Sequence, residues 1–230
     1  MKDQQFAVIG LGQFGEAIAR SLSEKGAQVM AIDANPDRVD YISSEVTYAV
    51  AMDATDKKAL ASQSIQDFDA VVISIGEDFE SLLLCAVNLM ELKVPRIIAR
   101  AKGHANKLIL QRLGIKEIFQ PEFAVGAVVA EQLLNPSLLS FMKMPDEYAI
   151  AEINPPTNLI GKRLDEIGLR KNYRINLITI KRKFPSKDDN GEEIVHITGV
   201  PQADTIIQDN DQLVIFGREK DFLRLIEINS

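Results

Sequence analysis

The sequence predicts an α/β protein, with a doubly wound, parallel, six-stranded sheet followed by a second, smaller α+β domain. Short apolar runs alternate with helical patterns through residues 1–135, which is typical of a parallel sheet covered by helices on both faces. A glycine-rich turn follows the first apolar run, where such folds bind phosphate. The alternation stops at Asn135-Pro136. Two domains of unequal size are therefore expected within the 230 residues.

The predicted strands are short and apolar, as strands buried on both faces should be. They cover Gln5–Ile9, Gln28–Ile32, Tyr48–Ala51, Ala70–Ile75, Arg96–Arg100 and Lys116–Phe119. The predicted helices cover Phe14–Lys25, Pro36–Ser43, Lys57–Gln63, Phe79–Leu92, Ala105–Leu113 and Phe123–Leu134. The turn residues agree with these boundaries, since Gly26 ends the first helix and Asn35-Pro36 begins the second.

The second domain is predicted over residues 148–230, after a connector at 136–147 that includes Met142–Asp146. A hairpin-type turn is expected at Asp188–Gly191, within a polar loop at 185–193. The remaining pattern predicts strands Tyr148–Ile153, Ile175–Lys183, Ile194–Thr198 and Gln212–Gly217, and helices Leu164–Gly168 and Glu219–Ile228.

The segment Phe6–Gly15 carries the G-x-G-x-x-G spacing of a Rossmann dinucleotide-binding turn. Gly10 permits the tight turn, Gly12 lets a pyrophosphate approach the backbone, and Gly15 lets the helix pack closely on the sheet. The helix that opens near this turn offers free N–H groups and a partial positive charge to phosphate. Asp33 ends the second strand about twenty residues on, where a carboxylate accepts a hydrogen bond from a ribose 2′-hydroxyl. Its negative charge also disfavours the 2′-phosphate of NADP.

Further candidates follow the later strands, because ligands of such folds bind at the carboxyl ends of the strands. Asp53-Ala54-Thr55 either contacts adenine or ribose, or caps the next helix through Asp53 or Thr55. Arg100 either reaches a phosphate or pairs with a nearby acid, and Glu122 either caps the sixth helix or holds a metal ion bound to phosphate. The predicted nucleotide-binding residues are Gly10, Gly12, Gln13, Phe14, Gly15, Asp33, Asn35, Asp53, Ala54, Thr55, Ser74, Ile75, Gly76, Arg100 and Glu122.

Composition excludes several classes of protein. The formal net charge of −7 opposes nucleic acid as a partner, because binding to a phosphate backbone needs a positive balance. One cysteine allows no intramolecular disulfide and fits a reducing cytoplasm. No apolar run approaches the ~18 residues of a membrane span, and the N-terminus has no signal-peptide pattern. A cytoplasmic protein is expected, with a membrane protein still possible as its partner.

Catalysis has little support in the sequence, so the protein is not expected to be an enzyme. The two histidines, His104 and His196, lie beside no obvious acid or nucleophile pattern. Cys85 lies in an apolar helix, which is typical of an inert packing residue. A dehydrogenase needs a substrate domain with a positioned acid or base, and the small second domain shows none.

A basic cluster between Arg170 and Lys187 stands out in this acidic chain. It forms either an anion site or docking surface, or a solvated helix end followed by a charged edge strand that resists aggregation. Arg170, close to Asn172 and Asn176, is the better candidate for ligand contact.

The chain resembles the regulator of potassium conductance (RCK) family, the cytoplasmic regulatory subunits of Ktr/Trk-type bacterial potassium uptake with TrkA-N and TrkA-C domains. The resemblance covers nearly the full length. In the first domain it rests on the glycine motif, the residues that follow the strands, Leu113-Gly114 and Pro121-Glu122. In the second domain it rests on two segments, Pro201–Ile207 and Asp211–Gly217.

Membership of this family would imply an N-terminal domain that binds ATP, ADP or NAD(H). A divalent cation could accompany the nucleotide if Glu122 is a metal ligand and not a helix cap. Membership would further imply homodimers formed through the sixth helix and an octameric ring that docks on a membrane potassium-translocating subunit and controls its gate. The protein would then be peripheral on the inner face of the plasma membrane. In several relatives the C-terminal domain binds cyclic di-AMP, and the matching positions here are Arg170, Asn176 and Leu177. Many relatives have arginine at the position of Gln13, which leaves the preference among ATP, ADP and NAD open.

Three other functions remain as alternatives. An NAD-dependent oxidoreductase would show sustained turnover of a hydroxy or keto acid. A redox-sensing transcription regulator would need a DNA-binding module, which the sequence does not show. A free nucleotide-binding adaptor would act without a transporter.

Overall fold

The computed structural model of the protein describes residues 4–134, 138–184 and 194–229. The chain divides into two compact units, Met1–Phe123 and Ala124–Ser230. The hairpin predicted at Asp188–Gly191 lies outside the described residues.

The first unit is built on one parallel sheet whose strand order is β3-β2-β1-β4-β5-β6. Its strands are β1 (Gln5–Ile9), β2 (Gln28–Asp33), β3 (Tyr48–Ala51), β4 (Ala70–Ile73), β5 (Ile97–Arg100) and β6 (Glu117–Phe119). The helices are α1 (Gln13–Glu24), α2 (Pro36–Ile42), α3 (Lys57–Ser62), α4 (Phe79–Glu91), α5 (His104–Leu113) and α6 (Pro121–Leu134), the last crossing into the second unit. A 3₁₀ turn covers Ile65–Asp67. This confirms the predicted doubly wound parallel sheet.

The central strand β1 explains why the sheet forms a core on both faces. Ala7 and Ile9 point into one buried cluster, and Val8 points into another on the opposite face. All three side chains are almost fully excluded from solvent. Because neighbouring side chains alternate between faces, a strand with four consecutive apolar residues, as in Phe6–Ile9, must be covered by helices on both sides.

The sheet order places a change of direction between β1 and β4. Chain connections run outward from β1 through β2 to β3, and the chain then returns to β4 beside β1. In open α/β sheets, ligands bind outside the carboxyl ends of the strands at such a switch point. The glycine-rich turn follows β1 and therefore lies at this point.

The second unit contains an antiparallel sheet with strand order β10-β9-β11-β8-β7. Its strands are β7 (Leu138–Lys143), β8 (Tyr148–Ile153), β9 (Asn176–Phe184), β10 (Ile194–Ile197) and β11 (Asp211–Arg218). The unit also contains helices α7 (Leu164–Ile167) and α8 (Glu219–Asn229), a 3₁₀ turn at Thr157–Leu159 and a π-helical turn at Leu169–Tyr173. Phe222 and Leu225 of α8 are fully buried in the core cluster of this unit.

Two sequence-based interpretations of this unit differ from the structure. Part of the predicted connector at 136–147 forms β7, where Met142 pairs with Ile150 of β8. The apolar residues of β7 do not alternate regularly with polar ones, so its sequence lacks the period-two pattern that indicates a half-buried strand. The basic strand β9 is not an edge strand, since β10 and β11 flank it.

Cys85 lies in α4 and is fully buried in the core of the first unit. Burial, with a smaller contribution from the negative charge of Asp53, raises the pKa of its thiol to about 12. A thiol with so high a pKa stays protonated, and only the thiolate is nucleophilic.

We therefore expect the folded protein to give no reaction with Ellman's reagent in mildly alkaline buffer, and one thiol per chain to react after denaturation. Absorbance of the released thiolate measures both values. Full labelling before denaturation would contradict the buried, protonated state of Cys85.

Candidate functional site

The glycine turn after β1 needs glycine at its first position for two reasons. Gly10 has φ +93°, a conformation that residues with a side chain rarely adopt. A Cβ there would also lie 2.9 Å from the backbone nitrogen of Ile75. Its own N–H donates to the carbonyl oxygen of Ile32 at 2.7 Å, so the turn is held between β2 and the end of β4.

Gly15 and Gly12 have opposite environments. A Cβ on Gly15 would overlap the carbonyl oxygen of Gly10 and lie 3.0 Å from Ser74 Oγ, so α1 packs against the turn only because this side chain is absent. A Cβ on Gly12 would find no atom of the other described residues within 4 Å, its two chain neighbours left aside. Gly12 therefore faces open space at the carboxyl edge of the sheet.

Helix α1 begins at this open space. Its N-cap residue is Gly12, with extended backbone (φ −68°, ψ 177°), and no side chain in the described structure caps it. The first N–H groups of a helix have no partner within the helix and carry a partial positive charge. With no capping side chain, they are available to an anion.

Asp33 ends β2 beside the turn and is 8 % exposed. Its Oδ2 accepts a hydrogen bond from the N–H of Leu11 at 2.6 Å, and its Oδ1 accepts one from the N–H of Asn35 at 2.8 Å. Each carboxylate oxygen can accept a second bond. The carboxylate thus fixes the glycine turn and the start of α2 while it keeps the capacity to bind a ribose hydroxyl.

Arg100 ends β5, and three parts of the site meet at its guanidinium. It forms an ion pair with Glu122 of α6, and its Cζ lies 5.5 Å from the centroid of the Phe14 ring. A Cβ on Gly76 would lie 2.8 Å from its Nη1, so glycine leaves the room that the guanidinium occupies. The hydrogen bond from Arg100 lowers the pKa of Glu122, which keeps that carboxylate ionised.

Two buried polar atoms at this edge have no hydrogen-bond partner among the described residues: Ser74 Oγ and Arg100 Nε. Ser74 is only 3 % exposed. Buried polar atoms are nearly always hydrogen-bonded, and an exception needs an explanation such as a bound molecule. Both atoms lie next to residues of the glycine-rich site, since Ser74 Oγ adjoins Gly15 and the Arg100 guanidinium adjoins Gly76.

Asp53 and Thr55 form a local turn after β3. Asp53 Oδ1 accepts hydrogen bonds from the backbone N–H and the hydroxyl of Thr55, at 2.8 and 2.7 Å, and these bonds lower the pKa of Asp53. Neither residue caps α3, because its N-cap is Asp56. Ala54 between them is buried. The capping alternative is therefore wrong, and the adenine or ribose contact stays a prediction.

The other predicted residues fall around the same turn. Asn35 caps α2 by accepting a hydrogen bond from the N–H of Asp37 at 2.9 Å. Ser74 and Ile75 lie just beyond β4, which ends at Ile73, two residues earlier than predicted. Gln13 is the first residue of α1. No group of three or more His, Cys, Asp or Glu residues that could hold a metal occurs in the part of the chain that the structure describes.

Two of the three residues predicted to bind a ligand in the second unit contact each other. Arg170 lies in the π-helical turn, and its Nε donates to Asn176 Oδ1 at 2.8 Å. Leu177 packs against the core of the unit. Two cations farther along β9 form ion pairs with acidic residues. Lys181 Nζ lies 2.6 Å from Glu152 Oε2, and Arg182 Nε lies 2.6 Å from Oδ1 of the buried Asp211.

Sequence reasoning missed one charged residue beside the glycine-rich site. Arg38, in the first turn of α2, lies 3.6 Å from Asp33 through Nη1 and Oδ2. Its position five residues after the acidic end of β2 was a usable signal, because an arginine near this position binds a 2′-phosphate in some dinucleotide-binding folds.

The chain matches two family models along its length, the TrkA-N domain over residues 6–121 and the TrkA-C domain over 148–229. It is 32% identical over 224 residues to the Ktr system potassium uptake protein A of Bacillus subtilis, covering 97% of this chain and 96% of that protein. It is also 31% identical to the Ktr system potassium uptake protein A of Vibrio alginolyticus, covering 94% of this chain and 93% of that protein.

A solved structure supports the fold. The GsuK channel bound to NAD superposes with a TM-score of 0.62 at 16% identity, covering 99% of this chain and 39% of that one. This chain thus spans well under half the length of the GsuK chain. Among the residues that the structure describes, no helix is long and apolar enough to cross a membrane.

Proposed function

The chain belongs to the family of proteins in which a TrkA-N domain is followed by a TrkA-C domain, and from that premise we propose that it is the nucleotide-sensing regulatory subunit of a potassium uptake system. The Ktr system proteins that it resembles are named for potassium uptake. The subunit controls a membrane potassium-translocating protein and catalyses no reaction of its own. It works in the cytoplasm, at the inner face of the membrane.

One observation carries the nucleotide part of the proposal. Among the described residues, no side chain caps the N-terminus of α1, which opens beside a glycine with free space, and two buried polar atoms at the same edge have no hydrogen-bond partner. Phosphate groups would satisfy the helix amides, and Arg100 adds a cation for a terminal phosphate. Asp33 would bind the ribose. ATP, ADP and NAD(H) share the adenosine and pyrophosphate that this arrangement suits, and the GsuK channel has been solved with NAD.

Glu122 is proposed to sense the phosphate end of the nucleotide. Its carboxylate pairs with Arg100, so a bound phosphate would compete with Glu122 for the same guanidinium. A divalent cation would relieve this competition by binding carboxylate and phosphate oxygens together. Because Glu122 is in the first turn of α6, the phosphate charge would act on the start of that helix.

Two copies of this chain are proposed to associate through α6. Several of its apolar side chains are well exposed: Phe123, Val125, Val128, Val129, Leu133 and Leu134. So many exposed apolar side chains on one helix are typical of an interface. Homodimers formed through α6 would build the octameric ring that docks on the translocating subunit.

Cyclic di-AMP is proposed as a second ligand, bound in the C-terminal domain. Arg170 is exposed and is oriented by its hydrogen bond to Asn176, so one planar cation is already held beside an amide. A guanidinium in this state suits a phosphate, which it can bind through two N–H groups. Leu177 would supply the neighbouring apolar contact.

The gating mechanism follows from differential affinity. ATP, ADP and NAD(H) place different charges near Arg100 and Glu122, so they would favour different angles between paired N-terminal domains. A ligand can shift this equilibrium only by its difference in affinity for the two ring shapes. The channel would respond to the ring shape.

Mass spectrometry of the purified protein, before any nucleotide is added, should identify a bound adenine nucleotide. Potassium flux through the channel partner reconstituted with this protein should then differ between saturating ATP and saturating ADP. Equal flux with both nucleotides would refute the switch. Absence of binding by ATP, ADP and NADH in calorimetry would refute the nucleotide site itself.

A further inference from the structure

The guanidinium of Arg100 is in contact with an aromatic ring as well as with a carboxylate. Its Cζ lies over the Phe14 ring, 5.5 Å from the ring centroid, which is within the range of a cation–π interaction. The side chain of Arg100 is 19% exposed, while that of its ion-pair partner Glu122 is 48% exposed. The cation thus lies mostly out of water, where its attraction to the ring is stronger.

The backbone holds both residues of this contact in place. Phe14 is the second residue of α1, and the next residue, Gly15, is buried against the glycine turn. Arg100 is the last residue of β5 and pairs with Phe119 of β6. Because neither backbone is free to move, the ring limits the rotamers that the Arg100 side chain can adopt.

The ring and the carboxylate hold the guanidinium in different ways. Glu122 accepts a hydrogen bond from Arg100 and so occupies an N–H group that a phosphate could use. An aromatic ring attracts the face of a guanidinium and leaves the N–H groups in the guanidinium plane free. It also adds no negative charge that would repel a phosphate. Phe14 can therefore keep its contact with Arg100 while a phosphate replaces Glu122.

A second cation near Glu122 makes this exchange easier. The hydrogen bond from Arg100 is the main cause of the lowered pKa of Glu122, and the positive charge of Lys102 is a smaller one. Lys102 is exposed in the turn between β5 and α5. A carboxylate that Arg100 releases thus remains near a positive charge, which lowers the electrostatic cost of the release.

We infer that Phe14 is a positioning residue, whose ring holds the Arg100 guanidinium ready for the phosphate chain of a nucleotide and thereby raises the affinity for ATP relative to AMP. The inference rests on the proposed nucleotide site. An arginine side chain loses rotamer freedom when it binds a phosphate, and a guanidinium that the ring already orients loses less of it. AMP lacks the outer phosphates of ATP, so it gains little from this preorganisation.

Calorimetric titration of the full-length protein with ATP and with AMP, the latter by displacement of ATP if it binds weakly, tests this inference. Phe14→Leu keeps an apolar side chain but removes the ring. We expect it to raise the dissociation constant of ATP about three- to tenfold, as for loss of a partly buried cation–π contact. The dissociation constant of AMP should change less than about twofold. Phe14→Tyr keeps a ring and should bind ATP within about twofold of the wild type.

A double-mutant cycle shows whether Phe14 acts through Arg100. Arg100→Met removes the charge and should itself weaken ATP binding. In that background Phe14→Leu should change the dissociation constant of ATP by less than about twofold, because the partner of the ring is already gone. Phe68→Leu is the matched control. Phe68 is buried just before β4, at the edge of the sheet opposite the glycine turn, so its replacement should leave the ratio of ATP to AMP affinity unchanged.

The inference is overturned if Phe14→Leu leaves ATP affinity unchanged or weakens ATP and AMP equally. An effect of Phe14→Leu that persists in the Arg100→Met background, or a failure of Phe14→Tyr to bind as the wild type does, would also overturn it. Urea denaturation checks that the variants fold, and Phe14→Met replaces Phe14→Leu if that variant does not.

Failure of the nucleotide site itself gives a different result. If the wild type binds neither ATP, ADP nor NADH, the proposed site fails first and the inference falls with it. If ATP binds equally well to the wild type and to Arg100→Met, the nucleotide site stands and only the role of Phe14 through Arg100 is refuted.

Discussion

Protein that carries Gly12→Ala should fold as the wild type does and lose most of its affinity for adenine nucleotides. The added methyl group meets no protein atom within 4 Å, and the backbone of Gly12 (φ −68°, ψ 177°) suits alanine. We expect the free energy of unfolding to change by about 1 kcal/mol at most, because two effects oppose each other. Alanine lowers the conformational entropy of the unfolded chain, which stabilises the fold, but it is a poorer N-cap residue than glycine. The methyl group enters the space proposed for the pyrophosphate, so the dissociation constants of ATP and NADH should rise at least about tenfold.

Calorimetric titration measures the affinity in this experiment, and urea denaturation followed by far-UV circular dichroism measures the folding, since the chain has no tryptophan. Normal stability with unchanged affinity would mean that the pyrophosphate does not approach Gly12. In that case the open space at the start of α1 would not be the phosphate site.

Gly15→Ala should have the opposite primary effect, which is loss of stability. Here the methyl group would overlap the carbonyl oxygen of Gly10, so α1 must move away from the turn. Forcing extra volume into a packed site costs about 1–3 kcal/mol and occasionally more, and we expect the upper end because the obstacle is backbone rather than a movable side chain. Nucleotide affinity should fall as well, because the turn and the start of α1 form the proposed nucleotide site.

Gly12→Ala is the internal control for this variant, since it makes the same chemical change three residues earlier. A lower urea midpoint for Gly15→Ala but not for Gly12→Ala would establish that the two glycines have different roles. Equal midpoints for the two variants would contradict the packing seen between α1 and the glycine turn.

Much of the first domain could be predicted from the sequence, for a local reason. The strands of the parallel sheet are continuous apolar runs and the turns between them contain Gly, Pro or Asn, so each element is encoded by its own residues. The turn at Gly10 and the acidic end of β2 at Asp33 follow from the same local signals. The second domain was harder to predict from the sequence, because the residues of β7, which pairs with β8, do not alternate regularly between apolar and polar.

The sequence by itself determined the doubly wound sheet, the glycine turn and the carboxylate of Asp33, because these depend on residues close together along the chain. Only the tertiary structure decided which long side chains meet at the site. Arg100 contacts Phe14 and Glu122 across three elements, and Arg38 approaches Asp33 across the start of a helix. The reach of a guanidinium depends on helix packing and on the space that neighbours such as Gly76 leave free, and this space is set by residues far apart in the sequence.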